Sequence, residues 1–361
     1  MIYILSRLII YKLFYHIGFP KILPMNYTVS VTYTCNSRCK TCNIYNRKCK
    51  ELSLEEYKKL SQNIGKSPYW ITFSGGEPFL KRKFSSIVKL FYNNCKPKII
   101  NIPSNGIMTK KIVQEVKEIC EHCKKSQIII NLSIDGIGEQ HNQIRNVPDN
   151  YTKVINTYNQ LKKLEYKNLS IGIHTVISKF NVDSFSSIAN NLMSLKADQY
   201  ITEIAEERNE LITINSDISP DPIKYKSAVD FLIHRIKHLK ITKKMHRITQ
   251  SFRIEYYNLV KQILRDKTQV IPCYAGITSV QISPDGEVWA CCIKAKSLGN
   301  LRKNNYNFKQ IWTSKNFNVE RKSIKNKECY CPLANASYTN MLLDFKILSR
   351  VFYRSFLKWW D

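Results

Sequence analysis

Acidic residues are scarce in this chain. Only 28 Asp and Glu stand against 56 Lys and Arg in 361 residues, leaving a formal net charge of +28. A surplus of that size disfavours cationic partners and suits anionic ones, such as nucleic acid, an acidic membrane surface or phosphorylated substrates. The sequence is also rich in Lys, Ile, Asn and Tyr throughout, so a diffuse, compositional origin accounts for the charge equally well. A secretory signature is missing too. The apolar start MIYILSRLIIYKLFYHIGFP is interrupted by Arg7 and Lys12 and has no small-residue cleavage site. A central Arg or Lys costs about 2.5–3.5 kcal/mol on insertion, which disfavours a membrane span. Hydrophobic content of 43% and charged content of 23% make disorder an unsuitable default. What is plentiful is cysteine: twelve, in a long chain without a signal sequence. That combination implies a reducing, cytoplasmic setting, where clustered thiols read as metal ligands or catalytic groups rather than disulfides.

From about residue 25, strand-like and helical stretches alternate. Apolar runs at 27–34, 69–75, 98–104, 128–134, 170–178 and 200–205 are separated by helical patterns at 53–64, 82–94, 109–124, 151–165 and 182–195. Six such repeats predict a parallel sheet with right-handed crossovers. There is no internal dinucleotide fingerprint, so the expected fold is a partial (β/α)6 TIM-like barrel, with its chemistry at the C-terminal ends of the strands. Residues 209–270 break the rhythm and contain no cysteine, and from 273 short strands and the last five cysteines follow. The expected division is an amphipathic segment at 1–24, a barrel at 25–208 and a helical bridge at 209–270. A small α+β domain at 271–335 and a basic amphipathic helix at 336–361 complete it.

The first strand ends in CNSRCKTC, placing Cys35, Cys39 and Cys42 on one tight loop. Soft thiolates suit an iron–sulfur cluster or zinc. A structural zinc needs four ligands, for which Cys49 is available. The second strand ends in TFSGGEPFL, where Gly75, Gly76, Glu77 and Pro78 make a turn; glycines permit close backbone approach and Glu77 offers an acceptor to an ammonium group.

The two motifs in this order resemble the radical S-adenosylmethionine (SAM) superfamily. The resemblance implies a [4Fe–4S] cluster on Cys35, Cys39 and Cys42 whose fourth iron is chelated by SAM, with the GGEP turn lining the methionine amino group. It further implies polar, ligand-facing roles for Ser104 and Asn105, ribose contacts for Ser133 and Asp135, and an adenine wall including Thr175, Val176 and Ile177. Arg145 matches an arginine that pairs with the methionine carboxylate, where a planar fork suits the acceptor. His141 is not assigned a role. Before the third cysteine the family often has an aromatic residue, and here it is Thr41. For each contact beyond the two motifs, a turn or surface role competes.

The segment from CYAGITSVQISPDGEVWACC to ECYC resembles the auxiliary-cluster extension called SPASM or, when shortened, twitch. It implies one auxiliary [4Fe–4S] cluster on Cys273, Cys291, Cys329 and Cys331, because the further cysteines of the full pattern are missing after 331. Cys291 and Cys292 compete for the second position, with Cys291 favoured by its spacing from Gly286; Cys292 is then a packing residue or a hydrogen-atom donor. Cys95, Cys120 and Cys123 read as core residues.

The tail sets Lys346, Arg350, Arg354 and Lys358 four residues apart, opposite Leu342, Phe345, Leu348, Phe352 and Phe356, with Trp359 and Trp360 at the end. That pattern suits an interfacial helix, or two terminal helices packed on one another. The resemblance implies an enzyme that takes one electron from a ferredoxin or flavodoxin and abstracts hydrogen from a substrate. Peptide or protein maturation is the leading substrate class. The alternatives are a lipid or glycan intermediate at the inner membrane surface, a metal scaffold without catalysis, or a nucleic-acid binder using the basic segment 237–257.

Overall fold

A computed structural model describes residues 2–357 of the chain. Six strands run parallel and in chain order: β1 (Asn26–Thr32), β2 (Trp70–Gly75), β3 (Ile99–Ser104), β4 (Gln127–Ser133), β5 (Leu169–Ile177) and β6 (Gln199–Ile204). Each apolar run therefore became a strand within two residues of its expected bounds. Helices connect them, the first (Leu54–Ile64) opened by a capping box in which Ser53 and Glu56 satisfy each other's backbone N–H groups.

The sheet continues beyond the expected barrel. The hairpin β7 (Ser279–Ile282) and β8 (Val288–Trp289) adds to the other edge of β1, with β7 parallel to it from Asn26↔Ser279 to Val29↔Ile282. The full order is β6-β5-β4-β3-β2-β1-β7-β8, and the two edge strands β6 and β8 do not pair with each other, so the barrel is partial. β1 is thus a central strand, and all seven of its residues are buried.

Residues 209–270 contribute the helices Pro222–Lys237 and Lys244–Asp266. Tyr225, Val229, Tyr256 and Val260 from this pair close over Ile177 and Ile204 of β5 and β6, forming a second apolar core. The N-terminal helix Ile2–Ile17 buries Leu8, Tyr11 and Phe14 and leaves Ile9, Leu13 and Ile17 exposed. The C-terminal helix Phe345–Phe352 and the π-helical turn Tyr353–Leu357 complete the described chain. Arg350 (2.8 Å) and Arg354 (2.8 Å) pair inward with buried Glu255, while Phe345, Phe352 and Phe356 face outward. The buried carboxylate explains the orientation: it takes the two guanidinium groups and leaves the aromatics outside. Lys358, Trp359 and Trp360 lie outside the described residues. No helix among those described is long and apolar enough to cross a membrane.

Candidate iron–sulfur and cofactor site

The loop after β1 carries Cys35, Cys39 and Cys42 at the strand's C-terminal end. It is held from two sides. On one, the backbone N–H groups of Arg38 and Lys40 donate to the Arg145 and Ile144 carbonyls; on the other, Asn43 N–H donates to the Leu211 carbonyl. The Asn105 side-chain amide reaches across to Asn36 Oδ1 (2.7 Å) and Ser37 Oγ (3.2 Å). The three thiols are half-buried and close enough to perturb one another. Burial pushes Cys35 up to about 11 and Cys42 up to about 12, and it raises Cys39 against the pull of Arg145, whose guanidinium lies 3.8 Å from its sulfur. Without metal the thiols are protonated, so cluster binding must release protons. Cys49 packs on the same small apolar cluster of Tyr33, Ile44 and Trp289 as Cys35 and Cys42, and burial raises its thiol, with Asp285 and Glu51 adding to the effect.

The GGEP turn packs directly on this loop's root. Gly76 N–H donates to the Thr32 carbonyl (2.7 Å) and Glu77 N–H to that of Thr34 (2.9 Å). Gly75 has φ +122°, and an added Cβ there would meet Thr32 O at 2.1 Å; at Gly76 one would meet Thr34 O at 2.3 Å. The glycines thus allow β2 to approach the strand end that presents the cysteines. Buried Glu77 accepts from Asn105 N–H (2.8 Å), Ser104 Oγ (3.0 Å) and Phe79 N–H (3.3 Å), which joins β2 to β3. Burial still pushes its carboxyl up to about 7.

Asp135 lies just past β4 and Arg145 on the helix Glu139–Arg145. They form a buried ion pair at 2.7 Å, and Asp135 also accepts from Val176 N–H of β5 at 2.8 Å. Arg145 Nε remains buried without a hydrogen-bond partner, an orphan donor suited to a carboxylate. His141 is buried and accepts from Asp135 N–H, so its position is structural. Ser133 is half-buried at the end of β4. The structure therefore gathers Glu77, Ser104, Asn105, Asp135, Arg145 and Val176 around the cysteine loop.

A second cavity is lined by Cys273, Cys291, Cys329 and Cys331. Burial raises all four thiols, and the mutual repulsion of Cys273, Cys291 and Cys329 adds to it. Gln269 clamps the wall, accepting from Cys273 N–H (3.2 Å) and donating to the Cys329 carbonyl (3.1 Å). Cys292 points elsewhere: its sulfur accepts from Arg208 at 3.8 Å and packs against Leu333 and Ala336. Cys95, Cys120 and Cys123 are buried in the main core. No three His, Cys, Asp or Glu side chains among the described residues converge on a point as one ion requires. A cluster instead bonds each thiolate to a different iron, and both thiol sets fit that chemistry.

Sequence reasoning missed the polar group just after β6. Buried Glu206 and Glu210 flank Arg208 there, with Glu206 Oε1 3.7 Å from Arg208 Nε. Glu210 accepts from Gln281 of β7. The run EIAEERNE held the signal, since barrel chemistry gathers where strands end.

An open parallel barrel with three thiols at the end of its first strand and four in a cavity beside it defines a class of iron–sulfur protein. Residues 29–192 match the radical SAM superfamily and residues 273–332 match SPASM, an iron–sulfur cluster-binding domain; together they span more than half of the chain. The chain belongs to the radical SAM superfamily and carries that auxiliary domain; its cofactors are accordingly a [4Fe–4S] cluster with SAM and auxiliary iron–sulfur chemistry. It is 28% identical over 173 residues to the sporulation killing factor maturation protein SkfB of Bacillus subtilis, covering 46% of this chain and 39% of that one. To the antilisterial bacteriocin subtilosin biosynthesis protein AlbA of the same organism it is 22% identical over 295 residues, covering 79% and 59%. The chain thus spans about half the length of these curated relatives. The fold matches native anSMEcpe with bound AdoMet and Cp18Cys peptide at a TM-score of 0.61 and 16% identity, covering 93% of this chain and 98% of that one. It matches Streptococcus suis SuiB bound to precursor peptide SuiA at 0.60 and 13%, covering 83% and 67%.

Proposed function

We propose that this chain is a radical enzyme that matures a peptide or protein substrate. The observation carrying this reading is the cysteine loop seated on the GGEP turn, with Glu77, Asn105 and the orphan donor of Arg145 turned to the same place. In this proposal Cys35, Cys39 and Cys42 hold the [4Fe–4S] cluster. When bound, the cluster and SAM supply a 5′-deoxyadenosyl radical that removes a hydrogen atom from the substrate. Gly75, Gly76, Glu77 and Pro78 shape the methionine end of the cofactor pocket, and Arg145 binds its carboxylate. Ser104, Asn105, Ser133, Asp135 and Val176 orient the remainder. Cys273, Cys291, Cys329 and Cys331 hold one auxiliary [4Fe–4S] cluster with no open position, beside the pocket.

Peptide is the favoured substrate because the relatives named above are a maturation protein and a bacteriocin biosynthesis protein, and the fold neighbours were solved with peptides. A ferredoxin or flavodoxin is the proposed electron donor. The outward aromatics Phe345, Phe352 and Phe356 support peripheral contact with an anionic membrane, which sedimentation with phosphatidylglycerol vesicles tests. The enzymatic reading is tested by anaerobic reconstitution, reduction and measurement of 5′-deoxyadenosine. The parent should form it and Cys39→Ala should not; a parent that never cleaves SAM rules the reading out.

A further inference from the structure

A groove of about 1170 Å³ lies between the N-terminal helix, the two bridge helices and the C-terminal helix, with no cysteine in its lining. Seven lysines and arginines line it, against two carboxylates. Both carboxylates are already engaged: Glu255 by Arg350 and Arg354, and Asp344 as the cap of the C-terminal helix through Ile347 N–H (3.0 Å). The cations stand on facing walls. Lys226 and Arg265 are on the bridge helices, and Lys12 and Lys346 are on the terminal ones. Asp230 neutralises part of one wall through Lys226 (2.8 Å) and Lys261 (2.6 Å), and Asp266 pairs with Arg265; cations still outnumber acids. The lining also has an apolar part, with Val270, Ile271, Pro272 and Phe345, the last 72% exposed, beside the polar His16, Asn258 and Gln262.

We propose that this groove binds an acidic peptide segment with apolar side chains, a part of the substrate distant from the residue that is modified. The inference rests on the peptide-maturation reading and adds to it a second point of attachment. Cations on the surrounding helices together with apolar lining residues select an occupant that carries both negative charge and apolar side chains. A chain segment can enter such a slot, whereas a bilayer surface meets outward faces. Position supports the role as well. Val270 and Ile271 line both this groove and the four-cysteine cavity, so a peptide seated here is held against the segment that delivers Cys273. Anchoring of this kind raises the effective concentration of the reacting residue at the barrel.

The test is fluorescence anisotropy on the anaerobically reconstituted full chain. The probes are a labelled synthetic peptide of glutamate and leucine at helical spacing and its lysine–leucine counterpart. The acidic peptide should bind saturably and more weakly in higher salt, and the basic one should not bind. Combined Lys226→Glu, Arg265→Glu and Lys346→Glu substitutions, all at solvent-accessible positions, should weaken binding by about tenfold or more. Equal binding of both peptides, or parental affinity in the triple variant, overturns the proposal. So does displacement of the peptide by phosphatidylglycerol vesicles that themselves depend on the three cations, since the groove would then be a lipid site. Cleavage of SAM without peptide reports separately on the radical reading. It should be parental in the triple variant, and its absence in the parent would remove the enzymatic reading while leaving the binding result to stand.

Discussion

A methyl group at Gly76 would sit 2.3 Å from the Thr34 carbonyl oxygen, one residue before Cys35. The obstacle is backbone, so relief requires the whole turn to move. Gly76→Ala should therefore cost more than about 2 kcal/mol and displace the cysteine loop. Melting temperature and iron content should fall together, and parental values of both would refute the account. The paired cysteines allow a sharper comparison. Cys291 lines the four-thiol cavity and Cys292 meets Arg208, so Cys291→Ala should drop iron from about eight to about four per chain while Cys292→Ala keeps it. Iron loss in Cys292→Ala would reverse the assignment. Glu206 gives a pH-dependent case. Burial pushes its carboxyl from an ordinary value near 4.5 up to about 7, Arg208 offsetting only part of the cost, and its Oε2 has no hydrogen-bond partner. Because the folded state holds this proton more tightly than the unfolded chain, stability falls as pH rises from about 4.5 to about 7. Ionising this buried carboxyl costs roughly 3 kcal/mol, and Glu206→Gln removes that cost. The variant should melt above the parent near pH 8 and close to it near pH 5; a difference independent of pH would show that ionisation is not the cause.

At the level of strands and helices, what the sequence revealed and what it hid have separate causes. β1 to β6 were legible because β-branched apolar runs bounded by turn residues report burial locally. The cysteine loop and GGEP turn were legible because their spacing is itself local. Docking of the β7–β8 hairpin on β1 was not, since strand order is a long-range property that no short pattern encodes. The tail was legible only in part, for a related reason. Its helical period was visible, but which face turns inward depends on Glu255, some 95 residues away along the chain. That carboxylate is 4% exposed within its residue and fixes Arg350 and Arg354 together. Glu255→Gln should leave two guanidinium groups poorly partnered and cost about 2–3 kcal/mol, less than a fully buried pair because Arg350 is half exposed. Limited proteolysis should then cut the segment after Asp344 sooner than in the parent. Unchanged cleavage would mean that the apolar contacts of Ile347 and Val351 hold the helix alone.

Across the whole molecule, both thiol sets hang from one hydrogen-bonded sheet. β1 presents Cys35 at its end and pairs on its far side with β7, which leads to Cys291 by way of β8. Glu210, beyond β6, accepts from Ser30 of β1 and Gln281 of β7, so the segment after the barrel also closes on this seam. The auxiliary domain is accordingly part of the barrel's wall rather than a separate bead. Removing it would expose the edge of a strand whose seven residues are all buried, together with unpaired backbone groups that invite aggregation. A chain ending at residue 270 should therefore aggregate or melt well below the parent, and it should take up less iron at Cys35, Cys39 and Cys42 although all three are present. An independently folding auxiliary domain would leave the truncated barrel with a parental melting transition and a full first cluster, a result incompatible with β7 completing the sheet.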